Sequence, residues 1–208
     1  MFINKVGYSH VETGTNCQDF GFEKDGIKCV ADGCSEGDHS EVGAKLFCHL
    51  FRQGLFIDEC FVRILHLIGY APRDMRDYMC FTILHTYQTK DEFLVLVCGD
   101  GYIVKQTVDD KVEYELMDNG KYPMYYIYNY IPKEYLASYK DGVNFTLYKY
   151  SKKEYKNVGV ASDGLRFVIG TDLEEELTNL IVKGKESAIK RFINKNHKVF
   201  KDDITIVI

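Results

Sequence analysis

Long apolar segments and an excess of basic residues are both missing from this sequence. No apolar run approaches the roughly 20 residues that a membrane-spanning helix needs. The first ten residues, MFINKVGYSH, lack the apolar segment of a signal peptide. Lys and Arg total 26 against 31 Asp and Glu, so the formal charge is −5, whereas proteins that bind nucleic-acid backbones usually carry a basic excess. We therefore expect a cytoplasmic protein that binds neither membrane nor nucleic acid.

The seven cysteines lack the pattern of a zinc site or a disulfide framework. Their number is odd, and no two of them form a Cys-x-x-Cys pair. Structural zinc sites and thioredoxin-like motifs usually contain such a pair, and a secreted disulfide framework usually has an even number. Most of these cysteines lie in apolar runs, and we interpret those as small core residues.

The sequence does contain enough apolar material for one folded domain. Hydrophobic residues make up 46% and charged residues 27% of the 208 residues, which are ordinary values for a globular protein. A chain of this length buries a sizeable core without needing disulfides or a structural metal. We expect residues 1–208 to form a single domain.

Apolar periodicity predicts grouped helices and a run of strands. Helical spacing is found at about 41–55 and 59–68, ending before Pro72, and again at about 173–182 and 185–194. Strand patterns cover about 26–31, 78–87, 93–98, 102–106, 111–117, 144–150, 157–161 and 204–208. Short turns between the strands of residues 78–117 predict an antiparallel meander. This order favours antiparallel sheets covered by helices over alternating βαβ units.

A tyrosine-rich segment interrupts the strand pattern. Of the 16 tyrosines, 11 lie between residues 114 and 155, most densely in KYPMYYIYNYIPKEYLASYK. Stacking of bases on these rings would need a basic groove beside them, and the segment has few lysines. We interpret residues 118–150, approximately, as a partly exposed subdomain or a partner-binding surface.

Several acidic residues stand next to predicted strand ends, and three of them are beside glycine. They are Asp32, Asp100, Asp163, Asp202 and Asp203, with Asp19 in a turn before Phe20. Carboxylates at the ends of several core strands can converge on one rim of a sheet, where neighbouring glycines leave backbone carbonyls approachable. An isolated Asp-Gly is usually only a turn. Four strand-end positions together favour a shared site.

Clustered carboxylates repel one another, and this repulsion predicts a metal site. Such a rim is costly unless cations neutralise it. Ligands that are all oxygen select hard ions such as magnesium or manganese. A pair of these ions, about 3.5–4 Å apart, can hold an attacking hydroxide beside a phosphoryl oxygen.

Five motifs, in order along the chain, resemble those of the protein phosphatase 2C family, the metal-dependent serine/threonine phosphatases, in a small bacterial-type form. They are SHVETGTNCQDFGF (9–22), VADGCSEGDHSEVGAKL (30–46), LVLVCGDGYIV (94–104), GVASDGL (159–165) and KDDITIVI (201–208). The resemblance implies an α+β fold, a four-layer αββα sandwich of two antiparallel sheets flanked by helix pairs. It also implies a phosphorylated protein substrate and a cognate serine/threonine kinase pathway.

The resemblance assigns chemical roles to four residues in these motifs. Asp32 would bridge two Mn²⁺ or Mg²⁺ ions, and the Gly33 carbonyl would ligate one of them. Asp163 and Asp202 would hold the other ion, so Asp32 and Asp163 are the residues on which catalysis would depend most. The water between the ions would attack phosphorus in line while the seryl or threonyl oxygen leaves.

Two further acidic residues would complete the metal site. Asp100, together with Asp163, matches the residues that can support a third, weaker metal in this family. Asp19 would hold metal-bound water without contacting the ions. The tyrosine-rich segment falls where family members carry a variable flap, and we expect substrate choice to reside there.

The sequence departs from the family pattern at several site positions. The family's first-motif Glu is Gln18 here, so a charged contact becomes neutral. Its phosphate-binding Arg corresponds to Gly14, and His10 and Lys5 are the candidates for the missing positive charge in substrate binding. Some members carry a His after the Asp-Gly; Cys34 stands there, and we interpret it as a bystander.

These observations leave three functional interpretations. The leading one is an active manganese- or magnesium-dependent phosphatase acting on phosphoserine or phosphothreonine. The second is a pseudophosphatase that keeps the fold as a protein-binding module, motivated by Gln18 and the absent Arg. The retained acidic residues weigh against it, since a binding module gains little from an unneutralised acidic rim. The third, a hydrolase of small phosphate esters, differs only in substrate.

Overall fold

The computed structural model describes residues 1–118, 120 and 123–208. These residues contain ten β-strands: β1 (Phe2–Lys5), β2 (Phe20–Lys24), β3 (Ile27–Gly33), β4 (Phe81–Gln88), β5 (Glu92–Cys98), β6 (Gly101–Thr107), β7 (Val112–Met117), β8 (Thr146–Ser151), β9 (Tyr155–Ala161) and β10 (Ile204–Val207). The α-helices are α1 (Tyr8–Thr13), α2 (Ser40–Arg52), α3 (Ile57–Ile68), α4 (Pro72–Met79), α5 (Glu174–Val182) and α6 (Glu186–Lys195). No described helix combines the length and the apolar character that crossing a bilayer requires.

In the described part of the chain, the strands form two five-stranded antiparallel sheets. The first has the order β1-β10-β9-β6-β7 and the second the order β2-β3-β4-β5-β8. Helices α5 and α6 pack on the outer face of the first sheet. Helices α2, α3 and α4 cover the outer face of the second. This four-layer αββα arrangement confirms the predicted fold class, with three helices rather than two on one side.

The central strands contain short continuous apolar runs because both of their faces are buried. In β3, Cys29 and Ala31 pack among the helices, while Val30 between them packs against the other sheet. In β4, Ile83 packs among the helices and Leu84 packs against the other sheet. Successive side chains of a strand point to opposite faces, so a strand covered on both sides reads as a continuous apolar run.

The predicted strand over residues 78–87 is wrong at its beginning. The chain forms α4 through residue 79, and β4 starts only at Phe81. Pro72, taken as a breaker after α3, occupies the first turn of α4, where its missing N–H costs no hydrogen bond. Met75 and Met79, one helical turn apart, are buried against the other helices. Tertiary packing of these two side chains therefore stabilises a helix that the strand pattern obscured.

The predicted meander over residues 78–117 is also wrong, because the chain changes sheets in its middle. Strand β5 pairs with β4 and β8, whereas β6 pairs with β7 and β9. The crossing uses Gly99 (φ +110°) and Gly101 (φ +140°), in a region that residues with a side chain rarely adopt. A Cβ on Gly101 would lie 2.7 Å from the carbonyl oxygen of Ala161. Asp100 is thereby held at the rim between the two sheets.

The tyrosine-rich segment packs closely on the helical layer over its described residues. Tyr125, Ile127, Ile131 and Leu136 are buried in the cluster that α2, α3 and α4 form. The hydroxyls of two further tyrosines, Tyr126 and Tyr130, donate to Asp58 on α3. Asn119, Lys121 and Tyr122, which belong to the predicted 118–150 segment, lie outside the described residues.

Candidate metal and phosphate site

Five of the acidic residues singled out in the sequence meet at one end of the two sheets. Asp32 is in β3, Asp100 lies between β5 and β6, and Asp163 begins a short 3₁₀ helix after β9. Asp19 directly precedes β2, and Asp202 comes two residues before β10. The carboxyls of Asp19, Asp100 and Asp163 all act electrostatically on that of Asp32. Both sheets therefore contribute to the cluster.

An open cleft of about 900 Å³ lies above this cluster. Its floor includes Asp32, Gly33, Asp100, Asp163 and Asp202. Its remaining described lining comes from Gln18, Cys34, Ser35, Glu36, Arg76 and Thr82, and from the tyrosine-rich segment through Pro123, Tyr125, Tyr128, Tyr135, Leu136, Ala137, Ser138 and Tyr139. The cleft has an acidic floor and a largely aromatic wall.

Burial and mutual repulsion make ionisation of the floor carboxyls unfavourable. Burial raises the pKa of Asp32 well above its ordinary value, and the charges of Asp19 and Asp163 raise it further. Burial also raises the pKa of Asp163 to about 6; the Arg166 guanidinium opposes this shift, while Asp100 and Asp202 add to it. These carboxyls therefore have too little positive charge near them to make their ionised forms favourable.

Asp19 is the most deeply buried member of the cluster, with only 1% of its surface exposed. Burial raises its pKa to about 8, against a lowering by a hydrogen bond from the Ser162 side chain, and nearby Asp203 raises it further. Its Oδ2 atom is buried without a hydrogen-bond partner among the described residues. A buried carboxylate oxygen left in this state indicates a missing donor or cation.

The donor set fits hard divalent cations. The residues on the floor offer carboxylate and backbone oxygens, which are the ligands that Mg²⁺ and Mn²⁺ prefer. Among the described residues, the cation paired with the floor carboxyls is Arg166, which forms an ion pair with Asp163 and lies 4.0 Å from Asp100 Oδ2. One half-exposed guanidinium does not balance the five carboxyls of the cluster, which are those of the floor and Asp19. The unpartnered Asp19 Oδ2 and the raised pKa values are the features that bound cations would remove.

Asp202 and Asp203 are adjacent in sequence but differ in their surroundings. Asp203 is 2% exposed, and its two oxygens accept hydrogen bonds from the backbone N–H of Gly7 (2.7 Å) and of Gln18 (2.6 Å). Its Oδ1 is also 2.9 Å from His10 Nδ1. The Asp202 side chain is 45% exposed and lines the cleft. Asp203 therefore holds the N-terminal segment in place, while Asp202 is available to the site.

Gln18 connects the first motif to the Asp-Gly loop. Its side-chain Nε2 donates to Ser40 Oγ (3.2 Å) and to the carbonyl oxygen of Cys34 (3.4 Å). Its own carbonyl accepts the N–H of Gly33 (3.3 Å). A carboxylate has no donor for the Cys34 carbonyl, so the amide suits this position better than Glu would.

The two predicted phosphate-binding residues lie in different places. His10 Nε2 is 3.8 Å from Asp202 Oδ1, at the edge of the cluster, and His10, Asp202 and Asp203 have ligand atoms close enough together to hold a metal ion. Lys5 is in β1 opposite Ile204. Neither His10 nor Lys5 is among the described residues that line the cleft.

Two arginines near the site were not identified in the sequence. Arg166 stands three residues after Asp163, a spacing that brings side chains together in a helical turn and could have drawn attention to it. Arg76 lines the cleft from α4. The four-residue spacing of Met75 and Met79 after Pro72 was the available signal for that helix.

The acidic cluster predicts a pH dependence for the stability of the metal-free protein. Asp19, with a pKa of about 8 in the folded chain against an ordinary 3.8, stays protonated where an unfolded aspartate is ionised. The folded state then binds more protons, so stability falls as pH rises towards 8. We expect the thermal unfolding midpoint in chelator to be several degrees lower at pH 8 than at pH 6.5. Saturating Mn²⁺ should remove the difference.

The pH window avoids one opposing group, His85, and contains only the onset of another, Lys28, whose pKa burial lowers to about 8. Burial lowers the pKa of His85 to about 4. Between pH 4 and about 6.5 the unfolded chain therefore binds a proton at His85 that the folded chain does not bind, and stability rises with pH over that range. Asp19→Asn should reduce the slope of the chelated profile between pH 6.5 and 8. An unfolding midpoint in chelator that increases over this range would contradict the buried carboxyl cluster.

Comparisons with known proteins agree with the fold and the motifs. Residues 6–61 match the family model described as Protein phosphatase 2C. A bacterial serine phosphatase superposes with a TM-score of 0.66 at 12% identity, covering 99% of this chain and 94% of that one. Stp1 from Staphylococcus aureus gives 0.64 at 14% identity, covering 99% and 92%. No curated protein matches the sequence.

A third similar structure was determined with metal. The catalytic domain of the serine/threonine protein phosphatase PstP in complex with two manganese ions has a TM-score of 0.64 at 14% identity, covering 99% of this chain and 94% of that one. At this identity the likeness concerns the fold. Together with the family match at residues 6–61, it confirms the predicted resemblance to the protein phosphatase 2C family.

Proposed function

We propose that this chain is a metal-dependent phosphoprotein phosphatase that hydrolyses phosphoserine and phosphothreonine. The observation that carries the proposal is the cluster of carboxyls at the floor of an open cleft, with the buried Asp19 Oδ2 atom unpartnered among the described residues. Such a cluster destabilises a protein unless it binds cations. The phosphoprotein would come from a serine/threonine kinase pathway.

The proposed cofactors are two Mn²⁺ or Mg²⁺ ions, with a weaker third site. Asp32, Gly33, Asp163 and Asp202 would hold the two ions, and Asp100 would contribute to the third with Asp163. When bound, such ions supply positive charge that lowers the pKa of water and stabilises a phosphoryl group during in-line displacement. PstP, which has a similar fold, was determined with two manganese ions.

The chain's own groups would position water and substrate around these ions. Asp19 Oδ2, which has no hydrogen-bond partner among the described residues, can accept a hydrogen bond from a water bound below the cleft floor. Ser162, which contacts the Asp19 carboxyl, also accepts the N–H of Thr205 (2.9 Å), and this fixes its hydroxyl. His10, beside Asp202, and Lys5 remain the residues proposed from the sequence to bind phosphate.

A catalytically inactive binding module is the alternative, and two observations favour it. The Gln18 amide is already engaged by Ser40 and the Cys34 carbonyl, so it offers no negative charge to a metal site. Gly14, at the family's Arg position, has no side chain to contact phosphate. In this alternative the aromatic wall of the cleft would bind a protein partner.

Hydrolysis of p-nitrophenyl phosphate at neutral pH, with Mn²⁺, with Mg²⁺ and with chelator, tests the proposal. We expect turnover with either ion and none in chelator. A folded sample without turnover under any condition would contradict the enzyme and favour the binding module. Calorimetric titration with Mn²⁺ then separates the alternatives further, because a site that binds no Mn²⁺ at millimolar concentration is not the proposed metal site.

A further inference from the structure

Arg76 is the only basic residue among the described residues that line the cleft. The charged side chains that share the cleft with it are all acidic, and they are Asp32, Glu36, Asp100, Asp163 and Asp202. The other nearby cation, Arg166, forms an ion pair with Asp163. Arg76 is therefore the positive charge that an anionic ligand would meet in the cleft.

The position of Arg76 is held from two sides. Its Nη2 donates to the backbone carbonyl oxygen of Tyr135, in a short 3₁₀ helix of the tyrosine-rich segment. On the other side, a Cβ on Gly37 would lie 2.9 Å from the carbonyl oxygen of Asp77 and 3.4 Å from that of Arg76. The loop that follows Gly33 thus packs directly on the last turn of α4. Arg76 stands between the Asp-Gly loop and the aromatic wall.

The guanidinium retains binding capacity in this position. Arginine carries five N–H donors, and the hydrogen bond to Tyr135 occupies Nη2. Within the described residues Arg76 forms no ion pair, whereas Arg73, one turn earlier on α4, pairs with Asp77 at 3.4 Å. A planar guanidinium with donors to spare suits bidentate binding of phosphate or carboxylate oxygens.

We propose that Arg76 binds an anionic oxygen group of the phosphoprotein substrate. The inference rests on the proposed phosphatase function. The shared chemistry is a phosphate or carboxylate, which has two sources: the phosphoryl group that reacts, or an acidic side chain beside the phosphorylated residue. If Arg76 binds the phosphoryl group, every substrate depends on it. If it binds the acidic side chain, only substrates that carry such a side chain do.

Three substitutions separate charge from anchoring at Arg76. Arg76→Gln removes the charge but keeps N–H donors on a shorter side chain, Arg76→Lys keeps the charge without the planar fork, and Arg76→Ala removes both. Arg73→Ala is the matched control, because it removes the same charge from the same helix at a position paired with Asp77. Thermal unfolding of each variant verifies that the chain is folded.

The assays use p-nitrophenyl phosphate, inorganic phosphate as a competing product, and two phosphoserine peptides that differ only in acidic residues next to the phosphoserine. If Arg76 binds the phosphoryl group, Arg76→Gln should raise KM for every substrate and weaken phosphate inhibition, each by about ten- to a hundredfold, the range for losing a charge-assisted hydrogen bond. If it binds a flanking carboxylate, only KM for the acidic peptide should rise. Arg76→Lys should retain part of the affinity, and Arg73→Ala should match the wild type.

Wild-type KM values for all substrates in Arg76→Gln would overturn the inference and leave Arg76 with only the anchoring of Tyr135. An inactive wild-type chain would count against the proposed function, and calorimetric binding of the two phosphopeptides would then test Arg76 independently. Binding that weakens in Arg76→Gln would support the inference in that case. Binding that does not change, or a wild type that binds neither peptide, would refute it.

Discussion

Replacing Asp32 with asparagine is expected to abolish metal-dependent turnover while leaving the chain folded. Asp32 lies centrally in the acidic cluster, where Asp19, Asp100 and Asp163 all act on its carboxyl. In the proposed site it would hold both ions, so its loss should exceed the roughly 10–100-fold cost of losing a residue that only supports a metal ligand. Turnover of p-nitrophenyl phosphate in saturating Mn²⁺ measures this effect.

The same substitution has an opposite expected effect on the chelated protein. Burial and neighbouring charges raise the pKa of Asp32, so the ionised form is unfavourable in the folded chain and its removal should raise the unfolding midpoint. Asp25→Asn is the control: Asp25 is exposed in the turn between β2 and β3 at φ +51°, a conformation that Asn also tolerates. Wild-type turnover in Asp32→Asn would disprove the assignment of the site.

The second large effect is expected from Gly164→Ala, which adds only one methyl group. Gly164 is buried beside Asp163, and its Cβ would lie 2.9 Å from the carbonyl carbon of Asp203 and 3.4 Å from the Cα of Ile204. Backbone atoms cannot rotate away as a side chain can, so the loops carrying Asp163 and Asp202 must separate. Overpacking of this kind costs about 1–3 kcal/mol, occasionally more.

Gly164→Ala should therefore lose both stability and Mn²⁺ affinity. Chemical denaturation and calorimetric Mn²⁺ titration measure the two losses separately. Gly170→Ala provides a control of similar stability cost, since Gly170 has φ +80° and its Cβ would meet no described atom within 4 Å, and a left-handed conformation costs an alanine about 1–2 kcal/mol. Unchanged Mn²⁺ affinity in Gly164→Ala would contradict the view that this close approach sets the spacing of the two acidic loops.

The acidic floor of the cleft was predictable because each of its residues has a local signal. Asp32 and Asp163 follow apolar strands and precede glycine, and Asp100 stands between two glycines. The structure brings these residues together in the cleft, and their roles as metal ligands remain predictions for the variants above. Strand ends and Asp-Gly turns are properties of a few consecutive residues, so they are readable without the fold.

Arg76 was missed for a different reason. Residues 72–79 combine a proline with only two apolar residues that become buried, and the following strand pattern extended the prediction of β-structure back to residue 78. The helix is decided by the packing of Met75 and Met79 against α2 and α3, which is long-range information. Intrinsic preferences in such short segments are commonly overridden by tertiary contacts.

The sequence by itself determined the order of most strands and helices, the αββα class and the acidic residues offered to a metal. The element order follows from apolar periodicity, the acidic residues from motifs within a few residues, and the αββα class from the resemblance to the protein phosphatase 2C family. Only the tertiary structure decided which groups come into contact. Asp203 accepts a hydrogen bond from the N–H of Gly7, 196 residues away. Arg76 reaches a cleft whose floor comes from both sheets. Sheet pairing and the crossing at Gly99 and Gly101 set these meetings, because they bring together groups whose separation along the chain carries no signal of contact.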